Sequence, residues 1–335
     1  MSVPEHLAGA VLSIDLDAVA GNYRTLLETL GGVPSAGVVK ADGYGLGAAR
    51  VGPALYAAGC RVFCVAHAGE GVALRAVLPD AEIHILNGLL PGAAETYREH
   101  ELIPVLGSLG EIDAWKAFAG DAPLPCDIHV DTGMLRLGLP PEELLALADD
   151  PDRAAGLMVR FVISHLASAD EAASPQNALQ LSAFRDARKV LPMGAACLAN
   201  SSGVFLGPDY HFDMARPGVA LYGVNPTPGR PNPMAATVRL RARIHQVRDA
   251  EPGETVGYGA SYGVEKPAKI ATLPVGYADG YLRSLSNAGC GTIDGRRVPL
   301  VGRVSMDLIT VDVSDIPEQD RQPGQWVELI GPDNH

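Results

Sequence analysis

The sequence predicts an α/β protein: a (β/α)8 barrel of the TIM type followed by a smaller, mostly-β domain. Three observations carry this. Strand and helix patterns alternate through the first ~200 residues, the sign of a parallel α/β sheet. The alternation ends at Asn225-Pro226-Thr227-Pro228-Gly229-Arg230-Pro231-Asn232-Pro233, beyond which segments are short, β-branched and separated by turn residues. Finally, Ala36-Gly37-Val38-Val39 runs into Lys40 and then into glycines 43, 45 and 47, so a polar group stands at the carboxyl end of a buried strand. That is the end at which such barrels place their chemistry.

Taken in order, residues 11–16 read as a strand, and Asp17 caps a helix reaching about Leu30. After the Lys40 strand, residues 48–58 form a helix stopped by Gly59. Strands are then expected over 61–66, 82–87, 102–106, 126–131 and 159–166, with helices over 68–78, 92–100, 109–119, 141–148 and 177–190. Residues 195–199 and 212–216 are further short strands, so eight-fold closure is within reach. The domain limits expected are 1–230 for the barrel and 231–335 for the β domain. Within the latter, residues 236–249, 269–275, 297–301, 308–313 and 326–330 read as strands, with turns at Glu251-Pro252-Gly253-Glu254 and Asp294-Gly295-Arg296.

The totals narrow the function. An apolar fraction of 47% over 335 residues supports a large core, and a net charge of −13 argues against a nucleic-acid partner. Apolar runs are broken well short of the ~18 residues of a membrane span, and residues 1–10 lack the basic-then-apolar pattern of a signal peptide. The five cysteines are irregularly spaced and read as reduced, buried thiols of a cytoplasmic protein. Cys60 and Cys64 have no second Cys/His pair to complete a metal site, so core packing is the better reading and no metal is expected.

Polar groups gather where strands end. Lys40 in a low-dielectric mouth loses proton affinity and becomes a Schiff-base nucleophile; alone it reads equally well as a surface lysine. The segments Asp131-Thr132-Gly133-Met134-Leu135-Arg136, Ser164-His165, Asn200-Ser201-Ser202-Gly203 and Arg216-Pro217-Gly218-Val219 all follow strand patterns. Singly, His165 reads as a core histidine, Arg136 and Arg216 as ion-pair partners and Asn200-Ser201 as a turn. Jointly, in a barrel, they converge on one mouth with Lys40 and Tyr44, where hydroxyls and glycine N–H groups suit a phosphate and an imidazole suits a flat ring. The β part carries Gly257-Tyr258-Gly259, Gly276-Tyr277-Ala278-Asp279 and Ser305-Met306-Asp307, which by themselves read as β turns.

Together these blocks resemble the alanine racemase family over essentially the whole chain. The resemblance implies an α/β barrel plus a β domain, in which the first strand pairs with the β domain. It implies pyridoxal 5′-phosphate as cofactor and a cytoplasmic homodimer with shared active sites, interconverting L- and D-alanine for peptidoglycan or for D-alanine catabolism. Lys40 would carry the cofactor as a Schiff base and act as one Cα base, with Tyr258 of a second subunit as the other. Arg216 would face the pyridine nitrogen and His165 would adjoin the ring. Tyr44, Asn200, Ser201, Gly218 and Val219 would hold the phosphate. Arg136 would face the phenolic oxygen and the substrate carboxylate, to which Met306 offers its N–H, while Tyr277 and Asp307 would line the access corridor. Arginine does not give up its proton, so Arg216 would leave the ring nitrogen unprotonated and disfavour transamination.

The chain departs from the family pattern in places. Where the family often carries a carbamylated lysine, His129 stands, leaving Asp127 or another anion to orient Arg136. Asp42-Gly43 and Leu46 replace the family's usual residues after the lysine. Family members usually continue past Ile330 with a tyrosine that contacts the phosphate, whereas this sequence stops at His335. Alternatives are a racemase of another small or basic amino acid, a decarboxylase of the same barrel class, a non-catalytic pyridoxal-phosphate carrier and a degenerate relic of a racemase.

Overall fold

The computed structural model describes residues 4–332. It divides into two compact units, Leu16–Thr237 and a second composed of the described residues up to Asp15 with those from Val238 on. Residues 1–3 and 333–335, which the sequence-based domain limits include, lie outside the described residues.

Strand β1 (Ala10–Ile14) belongs to the second unit. The first is built on a seven-stranded parallel sheet in sequence order: β2 (Gly37–Val38), β3 (Val62–Val65), β4 (Glu82–Ile85), β5 (Leu102–Leu106), β6 (Pro125–His129), β7 (Met158–Ile163) and β8 (Ala195–Cys197). Every residue of β5 is buried, as expected of a parallel strand covered on both faces. The longer helices bury one face against the sheet. Leu16–Leu30 does so through Val19, Tyr23, Leu26 and Leu30, at spacings that keep one face inward.

The eighth position of the barrel is filled by residues 213–217, which form no regular strand. Met214 bridges Cys197 on β8, and Ala215 bridges Ser35 just before β2. Around these bridges Asp213 N donates to Ala196 O at 3.0 Å, Ala36 N to Ala215 O at 2.9 Å and Val38 N to Pro217 O at 3.2 Å. Phe212 at φ +50° and Pro217, which has no N–H to give, bound the segment. The expected strand over 212–216 is thus present as a seam.

In the second unit β1 pairs antiparallel with β9 (Val238–Arg243). With β17 (Trp326–Ile330), β14 (Cys290–Ile293) and β15 (Arg296–Pro299) they make a five-stranded sheet ordered β1-β9-β17-β14-β15. Three more strands, β10 (Gln246–Ala250), β13 (Ala268–Leu273) and β16 (Ile309–Asp312), form a second sheet, and β11 (Thr255–Val256) pairs with β12 (Tyr262–Gly263). The single strand expected over 236–249 is therefore two. Ile244 N bonds Gln325 O and His245 N bonds Thr272 O, so the chain leaves one sheet and enters the other at that point. Ala242, Ile244, Leu273, Val311 and Val327 are among the residues packed between the sheets.

Candidate active site

Lys40 follows β2 after Val39, at the carboxyl end of the barrel, and is partly buried. Burial, then the charges of Arg136 and Arg216, lower its pKa, against the opposing pull of Glu70. The chain then makes a left-handed turn: Ala41, Asp42, Gly43 and Tyr44 have φ of 53°, 53°, 64° and 57°. For residues with a Cβ this region costs about 1–2 kcal/mol each, which glycine avoids and aspartate tolerates. Asp42 supports the turn by accepting the Ala48 N–H at 2.8 Å.

The turn delivers Tyr44 to a cradle of hydrogen-bond donors. Its ring lies 4.5 Å from that of Tyr222, tilted by 30°, and the Tyr222 hydroxyl donates to Val38 O at 3.1 Å. A Cβ at Gly218 would stand 2.2 Å from the Tyr44 hydroxyl, so glycine is required for this approach. Ser201 Oγ accepts the N–H groups of Gly218 at 2.9 Å and Ala220 at 3.2 Å, with Val219 between them. Asn200 shapes the adjoining loop, donating to Leu166 O and accepting the Gly203 N–H. Tyr44 and Ser201 supply hydroxyls and Val219 a backbone N–H, Gly218 leaves room beside them, and there is no carboxylate, a donor set that fits a phosphate.

Arg216 lies on the closing seam and is buried, 6% exposed. Its Nε donates to Cys197 Sγ at 3.1 Å and its Nη2 to the Ser164 carbonyl. Ser164 Oγ meets Thr132 Oγ1 at 2.7 Å. Gln180 reaches in from the helix Pro175–Val190, donating to Thr132 Oγ1 and His165 O and accepting the Ala167 N–H. Burial, then Arg216 and Arg136, push the His165 imidazole down to about 3. His129, at the end of β6, is pushed to about 4 by burial and then by Arg216. Both imidazoles are therefore neutral at pH 7, beside three permanently or potentially cationic groups.

Arg136 is exposed on the loop after β6, whose shape comes from Asp131 accepting the N–H groups of Gly133, Met134 and Leu135. Asp127 does not orient it. That carboxylate is turned into the barrel, where Oδ2 meets His84 Nδ1 at 2.6 Å and Oδ1 accepts the Phe161 N–H at 3.1 Å. Sequence reading missed this pair, as it missed Gln180, Tyr222 and Cys197; nothing in spacing links positions so far apart. It also missed Glu70, whose one legible signal is a carboxylate three residues after the start of a helical pattern.

The remaining expected site residues lie in the β unit. Tyr258 is 73% exposed, Tyr277 43% and Met306 58%, and Asp307 is exposed too. Their three loops are tied together. Tyr277 N bonds Ser305 O and Ala278 N bonds Met306 O, while Asn287 joins Ser261 to Gly302. A Cβ on Gly276 would come within 2.4 Å of the Met306 carbonyl.

The family model described as "Alanine racemase, N-terminal domain" matches residues 14–226, and "Alanine racemase, C-terminal domain" matches residues 237–335. A protein of Mesorhizobium japonicum called "Alanine racemase, catabolic" is 50% identical over 333 residues, covering 98% of this chain and 87% of its own length. An alanine racemase of Rhodospirillum rubrum is also 50% identical, over 98% of this chain and 89% of its own. Among solved structures, alanine racemase from Bartonella henselae with covalently bound pyridoxal phosphate superposes with a TM-score of 0.93 at 42% identity, covering 97% of this chain and 91% of that one. The biosynthetic alanine racemase of Pseudomonas aeruginosa gives 0.91 at 34% identity, over 98% and 92%.

Proposed function

The chain belongs to the alanine racemase family, and from that premise we propose that it interconverts L- and D-alanine with pyridoxal 5′-phosphate joined to Lys40. The observation that carries this reading is the placement of a lysine of lowered proton affinity beside Arg216 and a carboxylate-free donor cradle at one barrel mouth. When bound, the cofactor supplies the electron sink that acidifies the substrate Cα–H.

The residues divide the remaining work. Lys40 serves as the base on one face of Cα, a role that its lowered proton affinity, from burial and then the charges of Arg136 and Arg216, favours. Tyr258, exposed on its loop, serves the opposite face from a second copy of the chain, so that a proton is removed on one side and returned on the other. Arg216 holds a fixed positive charge toward the ring nitrogen, while Cys197 and the Ser164 carbonyl take its other donors. His165, neutral, adjoins the ring without adding charge. Tyr44, Asn200, Ser201, Gly218 and Val219 hold the phosphate. Arg136, with the Met306 N–H of the second copy, receives the substrate carboxylate, and Tyr277 and Asp307 of that copy line the approach. No described helix is long and apolar enough to cross a membrane, and a cytoplasmic homodimer is part of this reading.

The test is conversion of L-alanine to D-alanine by purified protein with added pyridoxal phosphate, beside Lys40→Ala and Tyr258→Phe. Turnover is expected to vanish in the first and fall at least a hundredfold in the second with cofactor retained, as for loss of a general base. Unchanged turnover in Tyr258→Phe removes the two-base assignment. Sedimentation at assay concentration checks the dimer, and full turnover by a monomer would exclude the shared site.

A further inference from the structure

The left-handed turn after Lys40 needs something outside itself to hold it. Its internal bonds, Gly43 N to Val39 O and Gly45 N to Ala41 O, both at 2.8 Å, have the spacing of an ordinary right-handed turn and do not select the hand. Of its four residues, Gly43 alone lacks a Cβ. What the turn gains is a contact with Glu70, in the first turn of the helix Ala68–Arg75 after the neighbouring strand. Glu70 Oε2 accepts the N–H groups of Ala66 at 2.7 Å and His67 at 3.1 Å, as a carboxylate at a helix start commonly does. Its Oε1 turns the other way and accepts Ala41 N–H at 2.6 Å and Asp42 N–H at 3.4 Å. One carboxylate thus joins two adjacent strand-to-helix loops, and the helix start accounts for only half of its bonds.

We propose that Glu70 is a positioning residue for Lys40: it straps the left-handed turn to the neighbouring helix and so fixes the directions in which Lys40 and Tyr44 leave the backbone. This rests on the reading of Lys40 as the residue that joins pyridoxal phosphate. The turn lies between the lysine and the tyrosine of the phosphate cradle, so relaxing it to the right-handed region would move both groups relative to Ser201 and Gly218. A residue that only capped its own helix would contribute to stability and leave cofactor capture untouched.

The experiment compares wild type, Glu70→Gln, Glu70→Asp and Glu70→Gln with Ala41→Gly. Each apoprotein is titrated with pyridoxal phosphate by absorbance, attachment to Lys40 is trapped with borohydride and located by peptide mass, and thermal unfolding is followed in parallel. Aspartate can still cap its own helix but is too short to reach the neighbouring loop, so it carries the test if the glutamine variant does not fold. At least a tenfold loss of pyridoxal phosphate affinity is expected in both single variants, with slower trapping at Lys40. Glycine at position 41 takes the left-handed conformation without strain and is expected to recover at least threefold of that loss. A lowered melting temperature with affinity within twofold of wild type, or no recovery with Ala41→Gly, would overturn the proposal. If the wild-type protein itself failed to trap the cofactor at Lys40, the functional reading would fall and this inference with it. Trapping in wild type with equal affinity in the variants would remove the inference alone.

Discussion

His129 and His84 are both buried inside the same barrel, on β6 and β4, yet they sit on opposite sides of neutrality. Burial disfavours the charged form of each. At His129 the arginines at positions 216 and 136 add to that effect, outweighing Asp131, and the imidazole is held at about 4. At His84 two carboxylates oppose burial and win: Asp127 at 2.6 Å and Glu82 at 2.9 Å raise it to about 9. Residue type and burial therefore do not predict charge in this barrel; the sign of the neighbours does. The mouth gathers cations, and these together with burial keep its histidines neutral. Deeper in, a chain of alternating charge runs from Asp127 through His84 and Glu82 to Arg160.

The strongest way to break this contrast is to remove one member of the interior pair. His84→Ala leaves Asp127 buried without its partner and is expected to cost about 3–5 kcal/mol in urea unfolding, whereas replacing both His84 and Asp127 by leucine should recover most of the loss. Equal stability of single and double variants would show that the pair is not coupled.

The pH dependence of stability sharpens the contrast, because the two histidines act with opposite signs. Between about 4 and 6.5 the unfolded chain takes a proton that folded His129 refuses, so stability falls as pH drops through that window. Between 6.5 and about 9 folded His84 keeps a proton that the unfolded chain has lost. Its contribution is full below 6.5 and disappears as pH rises through about 9. Glu82, depressed to about 2, contributes above 4.5 and is lost only as pH falls through about 2. Urea midpoints measured from pH 4 to 9 should therefore lose their alkaline slope in His84→Gln and part of their acid slope in His129→Gln. Parallel curves for all three proteins would refute the assignment.

The smallest effect belongs to the outer end of the chain. Arg160 is 49% exposed beside Glu82, and Arg160→Ala should cost less than about 1 kcal/mol in the same unfolding assay.

How far the sequence reaches follows the range of the forces involved. The alternation of strand and helix is set by local periodicity, which is why the parallel sheet is legible from the first ~200 residues and Lys40 at a strand end from residues 36–47. The two-sheet break at Ile244 and His245 is not, because it depends on Gln325 and Thr272, partners distant in the chain. The left-handed turn is half legible: Gly43 announces a special backbone, but Ala41 and Tyr44 do so only once Glu70 is seen. Nearness in sequence offers Asp127, or another anion, to orient Arg136, whereas the fold turns Asp127 toward a histidine 43 positions away.

The seam at residues 213–217 has one more consequence. The segment that closes the ring of strands is the segment that carries Arg216, with Gly218 directly after it. Closing the ring of strands and placing the Arg216 guanidinium against Cys197 are therefore the work of one short segment. A ligand that engaged Arg216 would thus be expected to slow hydrogen exchange at the seam amides of Ala36, Ala215 and Arg216, which exchange in the free and loaded protein would check.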